Sequence, residues 1–144
     1  MKSSYEIIIN RPRQRVLDLI MDPANFPKWQ FGVKTFQLLS GQQGQPGARA
    51  KVVIETHSVK LEMTETIVAR QLPDLYSLRY EGKGVKNFVE NRFYEDGPDR
   101  TRWTMTNTLE VGLMMAVAGP FINEIIGKQN HDSMKAFKNF AENV

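Results

Sequence analysis

The run Thr101-Arg-Trp-Thr-Met-Thr-Asn-Thr-Leu-Glu-Val111 constrains the fold more than any other stretch of the chain. Trp103, Met105, Leu109 and Val111 share one parity, while Arg102, Thr104, Thr106, Thr108 and Glu110 share the other. That alternation belongs to a strand with one buried face and one wet face. Asn107 falls on the apolar parity. A buried amide without partners costs roughly 1–3 kcal/mol, so it must meet another polar group, water or a ligand. The strand feeds an amphipathic helix that runs to the C-terminus. Phe121, Ile122, Ile125, Ile126, Gln129, Ser133, Phe137 and Phe140 follow helical spacing there, and Lys128, His131, Asp132, Lys135 and Lys138 lie mainly opposite. About sixteen residues of such helix do not stand alone, so the apolar stripe must rest on a sheet. Gly119-Pro120 marks either a kink or the true start of this helix. A curved sheet closing over a helix, with space between them, is the expected result.

Upstream, Tyr5 to Ile9 reads as a strand and Arg13 to Met21 as a helix, with Val16, Leu17 and Ile20 on one face. Pro12 suits the first turn, where its missing N–H costs nothing. Asp22-Pro23 predicts a second short helix, capped by Asp22 and ending near Phe26 because Pro27 disfavours helical geometry before it. Phe26, Trp29 and Phe31 are expected to pin these helices to the sheet. Strands then follow at Lys34–Leu39, Arg49–Thr56, Val59–Ala69, Leu75–Glu81 and Val85–Tyr94, separated by Gly, Pro and Asp turns. Without crossover helices this spacing predicts an antiparallel meander. The sequence read as a whole is one domain, residues 1–144, long enough to bury about 68–70% of its unfolded surface.

Composition excludes several chemistries. A net charge of +3, scattered with alternating sign, forms no basic stripe of the nucleic-acid-binding kind. Cysteine is absent, which removes disulfides, thiolate metal sites and cysteine nucleophiles. His57 falls on the outer parity and His131 among the lysines of the helix, neither with a partner at ligand spacing, so no metal site is expected. Gly41–Gly47 and Gly82-Lys-Gly84 lack the lysine and hydroxyl of a phosphate cradle and read as plain turns. No cofactor motif is present. The most apolar segment, Val111 to Ile122, is too short to span a bilayer, and no apolar leader opens the chain. A cytoplasmic protein without stable membrane insertion is the simplest expectation.

The order strand, two small helices, six antiparallel strands and one long C-terminal helix resembles the START-like (SRPBCC) superfamily, and within it the polyketide cyclase/dehydrase-like group. The telling pieces are Asp22-Pro23 with Pro27 and Trp29, then Thr101-Arg102-Trp103 with Glu110 and Gly112, and finally Lys128-Gln129, Met134 and Phe137-Lys138. The resemblance covers essentially the whole chain. It implies an α+β helix-grip fold, a seven-stranded antiparallel sheet curved around the C-terminal helix. It also implies a deep, largely apolar cavity holding lipids, sterols, polyketides or similar molecules. The superfamily shares no catalytic motif, so the resemblance assigns no catalytic residue.

The residues themselves supply candidates for the wall of such a cavity. In Val85–Tyr94 the set Val85, Asn87, Val89, Asn91 and Phe93 is apolar at three of five places, which brings Asn87 and Asn91 to the same side as Asn107. Tyr76 and Tyr80 point inward by the same rule, and Glu65 shares a face with Met63 and Ile67. The expected ligand-binding set is Met63, Tyr80, Asn87, Asn91, Trp103, Met105, Asn107, Phe121, Ile125 and Gln129. Two readings of the amides stay open: they satisfy one another and trapped water, or they orient a ligand. A one-residue bulge would invert the parity of a strand segment. Met63, Met105, Met114, Met115 and Met134 sit on or near proposed core faces, as ordinary filler or as an adaptable ligand wall. The first function expected is binding of a hydrophobic small molecule. The alternative is a polyketide cyclase or dehydratase acting in the same cavity, with Tyr80, Glu65 or an amide moving protons or stabilising an oxyanion. A module docking another protein would need an exposed apolar patch, and none is expected.

Overall fold

The computed structural model describes residues 1–55 and 59–144. Strands β1 (Lys2–Ile9), β2 (Val33–Ser40), β3 (Arg49–Glu55), β4 (Lys60–Gln71), β5 (Leu75–Gly82), β6 (Val85–Glu95) and β7 (Thr101–Val111) form one antiparallel sheet. Their spatial order is β1-β7-β6-β5-β4-β3-β2, a meander whose first strand returns to pair with the last. Helix α1 (Arg13–Met21) and a 3-10 helix (Pro23–Lys28) follow β1, and helix α2 (Gly119–Glu142) closes the chain. This is the expected helix-grip arrangement. His57, with Thr56 at the end of the predicted third strand, lies outside the described residues.

The inward parities hold where they matter. Trp103, Met105, Asn107 and Leu109 are buried on β7, and Val85, Asn87, Val89, Asn91 and Phe93 on β6. These two strands pair without interruption, so no bulge inverts either face. Register shifts do occur between Ile67 and Ala69 and in the pairing of β2 with β3. The first falls after Glu65, which therefore keeps its inward direction.

Helix α2 starts at Gly119 with Pro120 in its first turn, so the Gly-Pro pair opens the helix and does not kink it. Its buried side is Ile122, Ile126, Met134, Phe137 and Ala141. Phe137 meets Trp103 edge-on at 5.7 Å and Trp29 at 5.3 Å between ring centroids. At the far end, the Lys138 ammonium donates to the Ile8 carbonyl at 2.6 Å and to Glu142 Oε2 at 2.7 Å. The Asn10 amide donates to the same carboxylate, and Arg11 to the Glu142 carbonyl. These bonds tie the end of α2 to the end of β1.

Three local expectations need correction. The second helix runs to Lys28 with Pro27 inside it. Asp22 caps it as expected, accepting from the Ala24 amide at 3.0 Å. In this short 3-10 segment the turns are made by Asn25, Trp29 and Gln30 amides, so the N–H that Pro27 lacks is not required. Phe31 is 64% exposed and pins nothing; Phe26 and Trp29 do the packing. The link from β7 to α2 is a 3-10 turn, Leu113–Met115, none of whose residues is fully buried. Leu113, Met114 and Val117 are 96–98% exposed, so a run of apolar side chains does reach the surface and Met114 is no core residue. Met115 alone turns in, over Gly84, where a Cβ would lie 2.7 Å from its Cγ and where φ is +72°. That position requires glycine on both counts.

Candidate functional site

Between the sheet and α2 lies a cavity of about 150 Å³. Its wall is mostly apolar: Met63, Leu78, Val89, Phe93, Trp103 and Met105 from the sheet, Ile126 from α2, Phe26 from the 3-10 helix and Trp29 directly after it. Gln129, Asn130 and Ser133 present a polar row from α2, and Gln30 and Gln43 enter from loops. Gln129 reaches the cavity over Gly32, where a Cβ would stand 2.0 Å from its Oε1. Any side chain at position 32 would displace it.

The chemistry of the wall sits in one row across three strands. Glu65 on β4 faces Tyr80 on β5, which faces Asn87 on β6. The Tyr80 hydroxyl donates to Glu65 Oε2 at 2.8 Å. Burial pushes the Glu65 carboxyl above its ordinary value of 4.5, against the lowering effect of the Tyr80 hydrogen bond. Burial and then the Glu65 charge hold Tyr80 well above the usual tyrosine range, and Tyr76 is raised for the same two reasons in the same order. Both groups therefore hold their protons more tightly than they would in water.

The amides divide into two groups. Asn91 is satisfied at both ends: its Nδ2 donates to the Tyr76 carbonyl at 3.2 Å, and its Oδ1 accepts from Trp103 Nε1 at 3.0 Å. It orients Trp103 in the wall. Asn107 Oδ1 accepts from Asn87 Nδ2 and from Asn130 Nδ2, both at 3.0 Å. Asn87 Oδ1 and Asn107 Nδ2 are buried without a partner among the described residues. Asn87 and Asn130 line the cavity, whereas Asn107 does not.

Of the residues expected in the site, Met63, Tyr80, Asn87, Asn91, Trp103, Met105 and Gln129 come together in the lining. Phe121, Ile125 and Asn107 do not. Phe121 is 55% exposed and Ile125 half-buried, because α2 turns Ile122 and Ile126 toward the sheet. Asn107 is taken up by the hydrogen bonds that join β6, β7 and α2. Among the lining residues outside that set, Trp29, Gln30, Gln43 and Asn130 come from irregular segments or the helix edge, where periodicity carries no signal. Among the described residues no three His, Asp or Glu side chains gather as a metal site requires.

The network makes a prediction. Asn107→Leu is expected to destabilise the fold by about 1–3 kcal/mol, by orphaning the amide donors of Asn87 and Asn130. A position facing water or ligand would instead tolerate leucine. Chemical denaturation checks this, and a midpoint equal to that of the parent protein would remove the network from the account.

The sequence matches the family described as "Polyketide cyclase / dehydrase and lipid transport" over residues 1–143. The chain belongs to this family. Solved structures share the family's fold with it at low identity. A START superfamily protein from Mycobacterium smegmatis superposes with a TM-score of 0.79 at 17% identity, covering 99% of this chain and 97% of that one. The Zhui aromatase/cyclase from Streptomyces sp. R1128 gives 0.83 at 12%, covering 99% and 93%. Truncated norcoclaurine synthase from Thalictrum flavum gives 0.77 at 11%, covering 97% and 92%. No curated protein matches the sequence. Among the described residues, no helix is long and apolar enough to cross a membrane.

Proposed function

We propose that this family member binds a hydrophobic small molecule in the cavity between the sheet and α2. The observation that carries the reading is the wall itself: aromatic and aliphatic side chains with a few fixed polar groups, the usual composition of a ligand site. A volume of about 150 Å³ suits a single ring, since an apolar void of that size takes up benzene elsewhere. A larger ligand needs its tail to leave the cavity or the wall to move. The family's description, which includes lipid transport, agrees with a carrier role.

Trp29 and Trp103 both line the cavity, so occupancy is readable in their emission. In a Trp29→Phe protein, a neutral ring-bearing probe such as phenylbutanol is expected to change Trp103 emission saturably. Emission that stays constant up to the probe's solubility limit would reject this site.

One observation favours a catalytic second reading, the Glu65–Tyr80 hydrogen bond inside an apolar cavity. A carboxyl whose hold on its proton is strengthened by burial, beside a tyrosine hydroxyl, is suited to proton transfer at a carbonyl-rich chain, as a cyclase or dehydratase requires.

A further inference from the structure

The charge inventory of the wall is lopsided. Among the described residues that line the cavity, Glu65 is the only carboxylate, and no lysine, arginine or histidine accompanies it. Every salt bridge among the described residues pairs other groups. Among the described residues the carboxylate's one side-chain partner is the neutral Tyr80 hydroxyl, bound to Oε2. A second acceptor lies in the same row: Asn87, 4% exposed, has its Oδ1 without a partner. Neighbouring strands are about 4.8 Å apart, so Glu65 and Asn87 flank Tyr80 from either side. Tyr76 and Tyr80 add aromatic faces to this stretch of wall.

We infer that the cavity selects molecules carrying a protonated amine beside an apolar ring, with Glu65 as the counter-charge and Asn87 Oδ1 as a second acceptor. A primary ammonium brings three donors and a positive charge to a wall that, among the described residues, carries no cation and presents Glu65 and Asn87 Oδ1 as acceptors beside one unpartnered donor, Trp29 Nε1. The tyrosine rings attract the same charge through their faces. A carboxylate head, such as that of a fatty acid, would meet Glu65 with like charge and no compensating base. The inference rests on the proposed binding function and names its ligand class.

The test uses three molecules of one shape, phenylbutylamine, phenylbutanol and phenylbutanoate, titrated into the Trp29→Phe protein with Trp103 emission as readout. The amine is expected to bind about tenfold or more tighter than the alcohol, and the carboxylate weakest. Glu65→Gln, whose amide oxygen can still accept from Tyr80, is expected to bring the amine to parity with the alcohol while the protein still melts cooperatively. Because that variant could fail to fold, the Glu65 carboxyl carbon resonance of the parent protein supplies a second measure. It should move with the amine and stay still with the alcohol. If the alcohol or carboxylate binds as tightly as the amine, or the folded variant keeps the preference, the inference falls while the cavity function stands. If none of the three binds, the proposed function falls and the inference with it.

Discussion

A chain lacking residues 119–144 is expected to show no cooperative thermal transition. Helix α2 places Ile122, Ile126, Met134 and Phe137 against the sheet, each with less than a tenth of its surface exposed. Full burial of such a side chain stabilises by about 1.5–3 kcal/mol, so the four together contribute roughly 6–12 kcal/mol. That is comparable with the entire stability of a domain, about 5–15 kcal/mol. Deletion also bares the inner faces of β6 and β7, including Trp103 and Leu109, to water. Circular dichroism during a thermal ramp decides the matter. A sigmoidal melt from the shortened protein would mean that the sheet has another cover.

Phe137→Ala should be the most damaging single change of those considered, at about 3–5 kcal/mol. The side chain is 0% exposed and stands between two tryptophans, with Phe140 6.3 Å away on its own helix. Its removal leaves a hole bounded by three rings fixed from different elements, which collapse cannot easily fill. The loss of edge-to-face contacts adds to the cavity term. For a chain of this length the melting midpoint should fall on the order of 10 °C. Phe121→Ala is the control. At 55% exposed, Phe121 should change stability by less than about 0.5 kcal/mol. Equal losses for the two variants would contradict the rotation of α2 described above.

That pair of phenylalanines also shows where the sequence ceases to be informative. Phe121, Ile122, Ile125 and Ile126 form a stripe broader than the face that is buried, and helical spacing does not say which edge turns inward. Packing decides it, through Met63, Val85 and Leu109 beneath Ile122 and Ile126. Strand β7 could be read to its end residues because its alternation runs over its whole length, broken only at Asn107. Asn107 was legible as an anomaly, and its bond to Asn87 follows from parity on neighbouring strands. Its second partner, Asn130, comes from the helix, whose rotation the pattern leaves open. The cavity's loop-borne residues, Gln30 and Gln43, have no period to betray them. Met114 is expected near a core face, yet the 3-10 turn leaves it outside with Leu113 and Val117.

The strand order has a consequence for how this chain reaches its native state. Strands β2 to β7 each pair with a strand adjacent to them in the chain, so their ladders close through short loops. β1 is different: Met1 bonds to Leu109, 108 positions away. Closing so long a loop carries a large entropic cost, and contacts of that separation slow folding. During synthesis β1 emerges before the other six strands and waits unpaired until β7 has followed, at about 5–20 residues per second. Until then β7 also has a free edge, a template for pairing with the wrong strand. The strand that precedes all the others is therefore among the last to find its place, and the interval before it does is when the sheet is most exposed to misassociation.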